Sequence, residues 1–296
     1  MTDQGLSAVE EQPPGEFLPG TQIEIINHQI ERGKIRHALF DFDGTISLIR
    51  RGWQEVMTPM MVEVLVATGT DEPIEQLTAI VREFVDRLTG KQTIYQMIEL
   101  ADHVRARGAE PLEPLAYKHR YLELLWEQIE HRVAGLKSGE IAPEEMVVPE
   151  SFGILDNLRE RGVKCYLASG TDQPYVLDEA EALGVTGYFE GRSGGPRIYG
   201  ALDDYENFSK AMVIEMIIDE HDLHGSELLG FGDGYVEIQN VAEVGGIAVG
   251  VATDEERLEG IDAWKRNRLI VAGASVIVPD FAEHAPLLTW LCDEEG

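Results

Sequence analysis

The sequence is short of cysteine, short of lysine and free of long apolar runs. Only Cys165 and Cys292 occur in 296 residues, too few for a disulfide framework or a cysteine-built metal site. No stretch reaches the ~20 consecutive apolar residues that a membrane-spanning helix needs. The N-terminal residues are acidic and polar, without the basic-then-apolar pattern of a secretion signal. A reducing cytoplasm is the expected location. Cations are scarce: 24 Lys plus Arg, seven of them Lys, stand against 54 Asp plus Glu, for a formal net charge of −30. Such a field argues against nucleic acid or an anionic membrane as partner. An anionic ligand would need a local positive site.

Residues 1–20 contain Pro13, Pro14, Gly15, Pro19 and Gly20 with little apolar content, which reads as a mobile extension. Residues 21–34 suit a short strand or a helix, and a flexible extension over 1–30 is expected. Beyond it, apolar runs recur at 35–40, 163–169, 227–232, 246–251 and 274–278, the signature of strands buried on both faces. Helical spacing separates them. Phe152, Leu155 and Leu158 share one face, and Met212, Val213, Met216 and Ile217 share another, behind Ser209 as a candidate cap. Alternating strands and helices predict an α/β core with an open, doubly wound parallel sheet of Rossmann-like type. Residues 52–148 differ: they show no convincing strand but have helical spacing over 53–67, 73–89, 93–107 and 112–134. They read as an all-helical insert between 31–51 and 149–296, with Trp53, Met57, Met60 and Met61 in its interior.

In open α/β sheets, ligands bind beyond the carboxyl ends of the strands. The first expected strand delivers Asp41 and Asp43, the second Ser169, Gly170 and Thr171, and the third Asp233 and Glu237. Lys210 begins the helix before that third strand. Acids this close repel one another unless a cation offsets them. Mg²⁺ takes oxygen ligands, usually one or two carboxylates with phosphate and water, so a divalent metal and a phosphoryl group would account for the cluster. Arg197 competes with Lys210 as the phosphate-binding cation. His221 and His224 have no third ligand nearby in the sequence and read as a surface pair.

The stretches "DFDGT" (41–45), "LASGT" (167–171) and "GDGYVE" (232–237), with Lys210 between the last two, resemble the haloacid dehalogenase superfamily of phosphohydrolases. The resemblance covers 35–51 and 149–296, and the insert corresponds to that family's mobile cap. It implies Asp41 as a nucleophile that forms an aspartyl-phosphate and Asp43 as general acid and base, with the Asp43 backbone carbonyl also reaching Mg²⁺. It further implies Ser169 and Gly170 at the phosphate, Lys210 beside the transferring group, and Asp233 on the metal. One departure is Glu237, where a second Asp is common; it would bind metal directly, bind a metal water or orient Lys210.

The expectation is a Mg²⁺-dependent hydrolase of a small phosphorylated metabolite, a sugar phosphate or a phosphoglycolate-like ester, acting as monomer or dimer. The alternatives are a sugar phosphomutase, a phosphonatase using Lys91, or a non-catalytic phosphate-ligand binder. The stretch "LTGKQTIYQMIEL" (88–100) resembles the cap's specificity loop and suggests that Lys91 and Gln92 face the substrate. Arg50 and Arg51, beside the first linker, are further candidates for that role.

Overall fold

The computed structural model describes residues 10–191, 195–202 and 207–293. The chain first lays down two short strands, β1 (Glu16–Phe17) and β2 (Glu24–Ile25), then β3 (His37–Phe40). Four helices follow without an intervening strand: α1 (Trp53–Val66), α2 (Ile74–Leu88), α3 (Thr93–Ala106) and α4 (Pro114–Ser138). The remainder alternates: α5 (Ser151–Glu160), β4 (Lys164–Asp172), α6 (Gln173–Ala182), β5 (Ile198–Ala201), α7 (Lys210–His221), β6 (Leu228–Gly232), α8 (Tyr235–Glu243), β7 (Ile247–Val251), α9 (Ala263–Val271), β8 (Val276–Val278) and α10 (His284–Cys292).

The strands form one sheet in the order β1-β2-β8-β7-β6-β3-β4-β5. From β8 to β5 every pairing is parallel, which is the doubly wound α/β core expected. The period of two along each strand divides the core between the two faces. Ala38 and Phe40 of β3 join Cys165, Leu167, Leu229 and Phe231 under α5, α6 and α10, while Leu39 joins Tyr166 and Leu228 under α7, α8 and α9. Phe40 stacks on Phe231 at 4.5 Å, and Phe281 meets both edge-on. The four helices after β3 pack on one another, α1 against α2 and α4, and α3 against α2 and α4. Among the described residues no helix is long and apolar enough to cross a membrane.

Two edges differ from the sequence reading. The first is the N-terminal segment. Residues 1–9 lie outside the described residues, but β1 and β2 add to the sheet antiparallel through β8. Ile23 and Ile25 are buried, and the buried Glu24 between them receives Arg266 at 2.6 Å. β2 is the short strand that residues 21–34 suit, whereas β1, at the sheet edge, falls in the stretch expected to be mobile. The second is β5, which follows a Gly-rich stretch and carries no continuous apolar run.

Far from the carboxyl ends of the strands, at the start of β3, lies a ring cluster. His37 is buried between Tyr166 and His221, its ring 4.4 Å from that of His221, whose Nε2 lies 2.8 Å from the Tyr166 hydroxyl. His221 is therefore held in an aromatic cluster rather than standing free on the surface.

Candidate active site

The carboxyl end of β3 becomes a tight turn. Asp41 N–H still donates to Phe231 O on β6 at 2.9 Å, so the acid is fixed by the last rung of the parallel ladder. Phe42 O then accepts from Ile46 N–H and Ser47 N–H, and Gly44 adopts φ +75. Glycine is required there for a second reason: a Cβ would stand 2.2 Å from Asp233 Oδ2. The turn thus presses the β3 and β6 ends together.

Lys210, the first residue of α7, reaches into this junction. Its Nζ lies 2.8 Å from Asp41 Oδ2 and 2.9 Å from Glu237 Oε2, with all three groups buried. Ser209 caps the helix by accepting from Met212 N–H at 3.1 Å, which holds Lys210 at the helix start. Glu237 is anchored in turn, because its Oε1 accepts from Gly234 N–H at 2.6 Å. Burial alone would lower the Lys210 ammonium, but Asp41 and Glu237 outweigh it and hold the group above its usual range. Asp41 is pushed well above the usual carboxylate range, first by burial and then by Glu237 and Asp233, against the pull of Lys210. Of the two candidate cations, Lys210 is at the acids. Arg197 instead stacks over the Tyr166 ring at 5.0 Å.

Asp233, at the end of β6, is raised to about 6, mainly by burial and against the pull of Lys265. Lys265 Nζ lies 2.9 Å from Asp233 Oδ2 and 2.5 Å from Glu255 Oε1. Neither Lys265 nor Glu255 was visible as a site residue in the sequence. The same rule that located Asp41 and Asp233 applies to β7, whose carboxyl end delivers residues 252–257 to the same crevice, and that was the available signal.

On the other side of Asp41, β4 supplies the hydroxyls. Thr171 Oγ1 donates to Asp43 Oδ2 at 2.8 Å, Ser169 Oγ reaches the same oxygen at 3.4 Å, and Thr171 N–H donates back to Ser169 Oγ at 3.0 Å. Asp43 Oδ1 is buried without a hydrogen-bond partner, its nearest charged neighbour being Arg50 Nε at 3.9 Å. Arg50, expected to face the substrate, is instead committed to an ion pair. It is buried and forked onto Glu179 of α6, with Nη2 to Oε1 at 2.7 Å.

A cleft of about 110 Å³ opens above these groups, and Arg51, Trp53, Lys91, Tyr121 and Gly170 line it. The helical segment closes over it at Gly90 (φ +96), where a Cβ would come within 3.5 Å of Gly234 Cα. Arg51 Nη1 donates to Glu255 O at 3.1 Å. Gln92, expected to face the substrate, is turned away: its buried side chain donates to Phe208 O at 2.7 Å. At the start of α3 the side chain points back toward the core's backbone, so it docks the loop instead of lining the cleft.

Oxygen atoms of Asp41, Asp233 and Glu237 all lie within 4.8 Å of one another. Hard carboxylate donors at that separation suit a small divalent cation. Burial raises Asp41 first, and the neighbouring Glu237 and Asp233 carboxylates add to that rise. Asp41, Asp233 and Glu237 are the residues that could hold the ion. Asp41 and Glu237 each have both oxygens engaged, Asp41 by Phe42 N–H and Lys210, Glu237 by Gly234 N–H and Lys210.

Residues 35–245 match the haloacid dehalogenase-like hydrolase family, and the chain belongs to it. No curated protein sequence matches. Similar solved structures include a predicted phosphoglycolate phosphatase from Haemophilus somnus, with TM-score 0.56 and 14% identity over 86% of this chain and 98% of that one. CbbY from Rhodobacter sphaeroides in complex with phosphate has TM-score 0.51 and 19% identity over 85% and 96%. A family hydrolase from Deinococcus radiodurans with bound phosphate and sodium has TM-score 0.51 and 14% identity over 88% and 97%. At these identities the likeness is one of fold.

Proposed function

We propose that the chain is a Mg²⁺-dependent phosphomonoester hydrolase that acts on a small phosphorylated metabolite through a phosphorylated Asp41. The observation that carries this reading is the pairing of Asp41 with Lys210 at 2.8 Å, next to an Asp43 whose second oxygen has no hydrogen-bond partner. Asp41 attacks phosphorus and the bond to the leaving oxygen breaks, while Asp43 donates its proton to that oxygen. A water then attacks the aspartyl-phosphate, gives its proton to Asp43 and releases phosphate with Asp41 restored. Lys210, 2.8 Å from Asp41, neutralises charge on the transferring group in this reading, and Ser169 and the Gly170 backbone, which line the cleft, hold the phosphate. Thr171 keeps Asp43 aimed at the cleft. A divalent ion held by Asp41 and Asp233 would supply further charge neutralisation to the phosphoryl oxygens.

The size of the cleft favours a compact substrate, and Arg51 and Lys91 on its wall suit a second anionic or polar group. The phosphate bound in the R. sphaeroides and D. radiodurans structures is in keeping with this class of ligand. The test is phosphate release from a panel of sugar phosphates, phosphoglycolate, nucleotides and a nitrophenyl ester, with Mg²⁺, with chelator, and with Mg²⁺ restored. Release that stops in chelator and returns with Mg²⁺ supports the reading. Full activity in chelator overturns the metal assignment, and conversion to an isomeric phosphate without release overturns hydrolysis in favour of a mutase.

A further inference from the structure

Lys265 has no part in the hydrolytic scheme, yet it occupies the acid that the scheme assigns to the metal. Its Nζ lies 2.9 Å from Asp233 Oδ2, and only 13% of the side chain is exposed. Two features make this a built contact. Asp262 caps α9 by accepting from Lys265 N–H at 2.9 Å, which fixes the lysine backbone at the helix start. The loop that carries Glu255 is closed by the Thr253–Ile261 bridge and by an Asp254 side chain that accepts from Glu256 and Arg257 N–H. Glu255 therefore stands as a second, fixed anion 2.5 Å from the same ammonium.

We infer that Lys265 is an intrinsic counter-cation that competes with the divalent metal for Asp233, and that Glu255 retains the lysine when the metal is bound. This rests on the metal-dependent reading above. A cation at hydrogen-bond distance from Asp233 repels a divalent ion approaching the same carboxylate. In the metal-free chain it also relieves the mutual repulsion of Asp41, Asp233 and Glu237, whose oxygens lie within 4.8 Å of one another. Glu255 gives the lysine a partner that is not among the metal ligands, so the exchange leaves no buried ammonium unpaired. Lys265 thus sets the metal concentration at which the site fills. It is a positioning residue, not a catalytic one.

The test is calorimetric titration of Mg²⁺ into chelator-treated full-length protein, comparing the natural sequence with Lys265→Met and Glu255→Gln. Lys265→Met should tighten Mg²⁺ binding by on the order of tenfold, an effect that loss of a merely structural contact would not produce. Glu255→Gln leaves the lysine in place with a weaker second anchor, and should loosen binding several-fold. Should Lys265→Met fail to fold, Lys265→Gln and the Glu255 variant carry the comparison. Mg²⁺ binding to the natural protein with no tightening on loss of the lysine overturns the inference and leaves the hydrolase reading standing. Absence of Mg²⁺ binding to the natural protein overturns both.

Discussion

Arg50 and Glu179, 129 residues apart, form a forked ion pair beneath the cleft, with Arg50 Nε also 3.9 Å from Asp43. Both partners are buried, and burial pushes the Glu179 carboxyl up despite the attraction of Arg50. The pair ties the linker after β3 to α6, so the acid at position 43 is held from two elements at once.

Removing one member of a buried pair leaves the other charge uncompensated. Glu179→Gln should destabilise the protein by about 3 kcal/mol, measured by chemical denaturation at neutral pH. The double change Arg50→Met with Glu179→Met should recover more than half of that loss. A single variant as stable as the natural protein would mean that the ion pair does not hold the linker.

The cap loop yields a contrast between adjacent residues. Lys91 lines the cleft, whereas Gln92 bonds Phe208 O. Lys91→Ala should raise KM for the physiological ester much more than for a small nitrophenyl ester. Gln92→Ala should affect both esters alike, because it loosens the docking of the loop and not a substrate contact. Steady-state kinetics on the two esters separates these patterns, and a selective effect of Gln92→Ala would contradict this placement.

His37 makes the fold sensitive to acid. Burial, then the charges of His221, Lys164, Arg36 and Arg197, lowers its folded value to about 3 from an ordinary 6.5. A group lowered on folding is protonated first in the unfolded chain, so its neutral form stabilises the fold above 6.5, and that contribution is lost as pH falls toward 3. Stability should drop by about 1 to 2 kcal/mol between pH 7 and pH 5 on this account. His37→Phe should flatten that part of the profile, read by denaturation at each pH. An unchanged slope in the variant would assign the acid sensitivity elsewhere.

Much of this site was legible in the sequence, for a physical reason. A buried parallel strand is a continuous apolar run, and the acids that end it stand out against it, so Asp41, Asp43 and Asp233 could be placed at strand ends. Lys210 and Ser169 followed from the helix and strand that carry them. Side-chain direction was not legible. Gln92 and Lys91 look alike as polar neighbours, and only the path of the loop sends one to Phe208 O and the other to the cleft. Lys265 and Glu255 sit in "TDEERLEGIDAWKR", which reads as a solvated charged stretch until the Thr253–Ile261 bridge folds it back over Asp233. Arg50 reads as a candidate for the substrate because its partner Glu179 is remote in sequence.

The division of labour between Asp41 and Asp43 is the central claim, and a trapping experiment on Asp43→Asn tests it most directly. Thr171 and Ser169 would still hold the amide in place, but it accepts no proton from water. With a nitrophenyl ester, whose leaving group needs little protonation, the first step should proceed and the second should stall. Rapid mixing should show a burst near one equivalent of nitrophenolate, and mass spectrometry of the quenched protein should find one phosphoryl group on the peptide that contains Asp41. Full turnover without a burst, or a phosphoryl group on any other residue, would contradict the account.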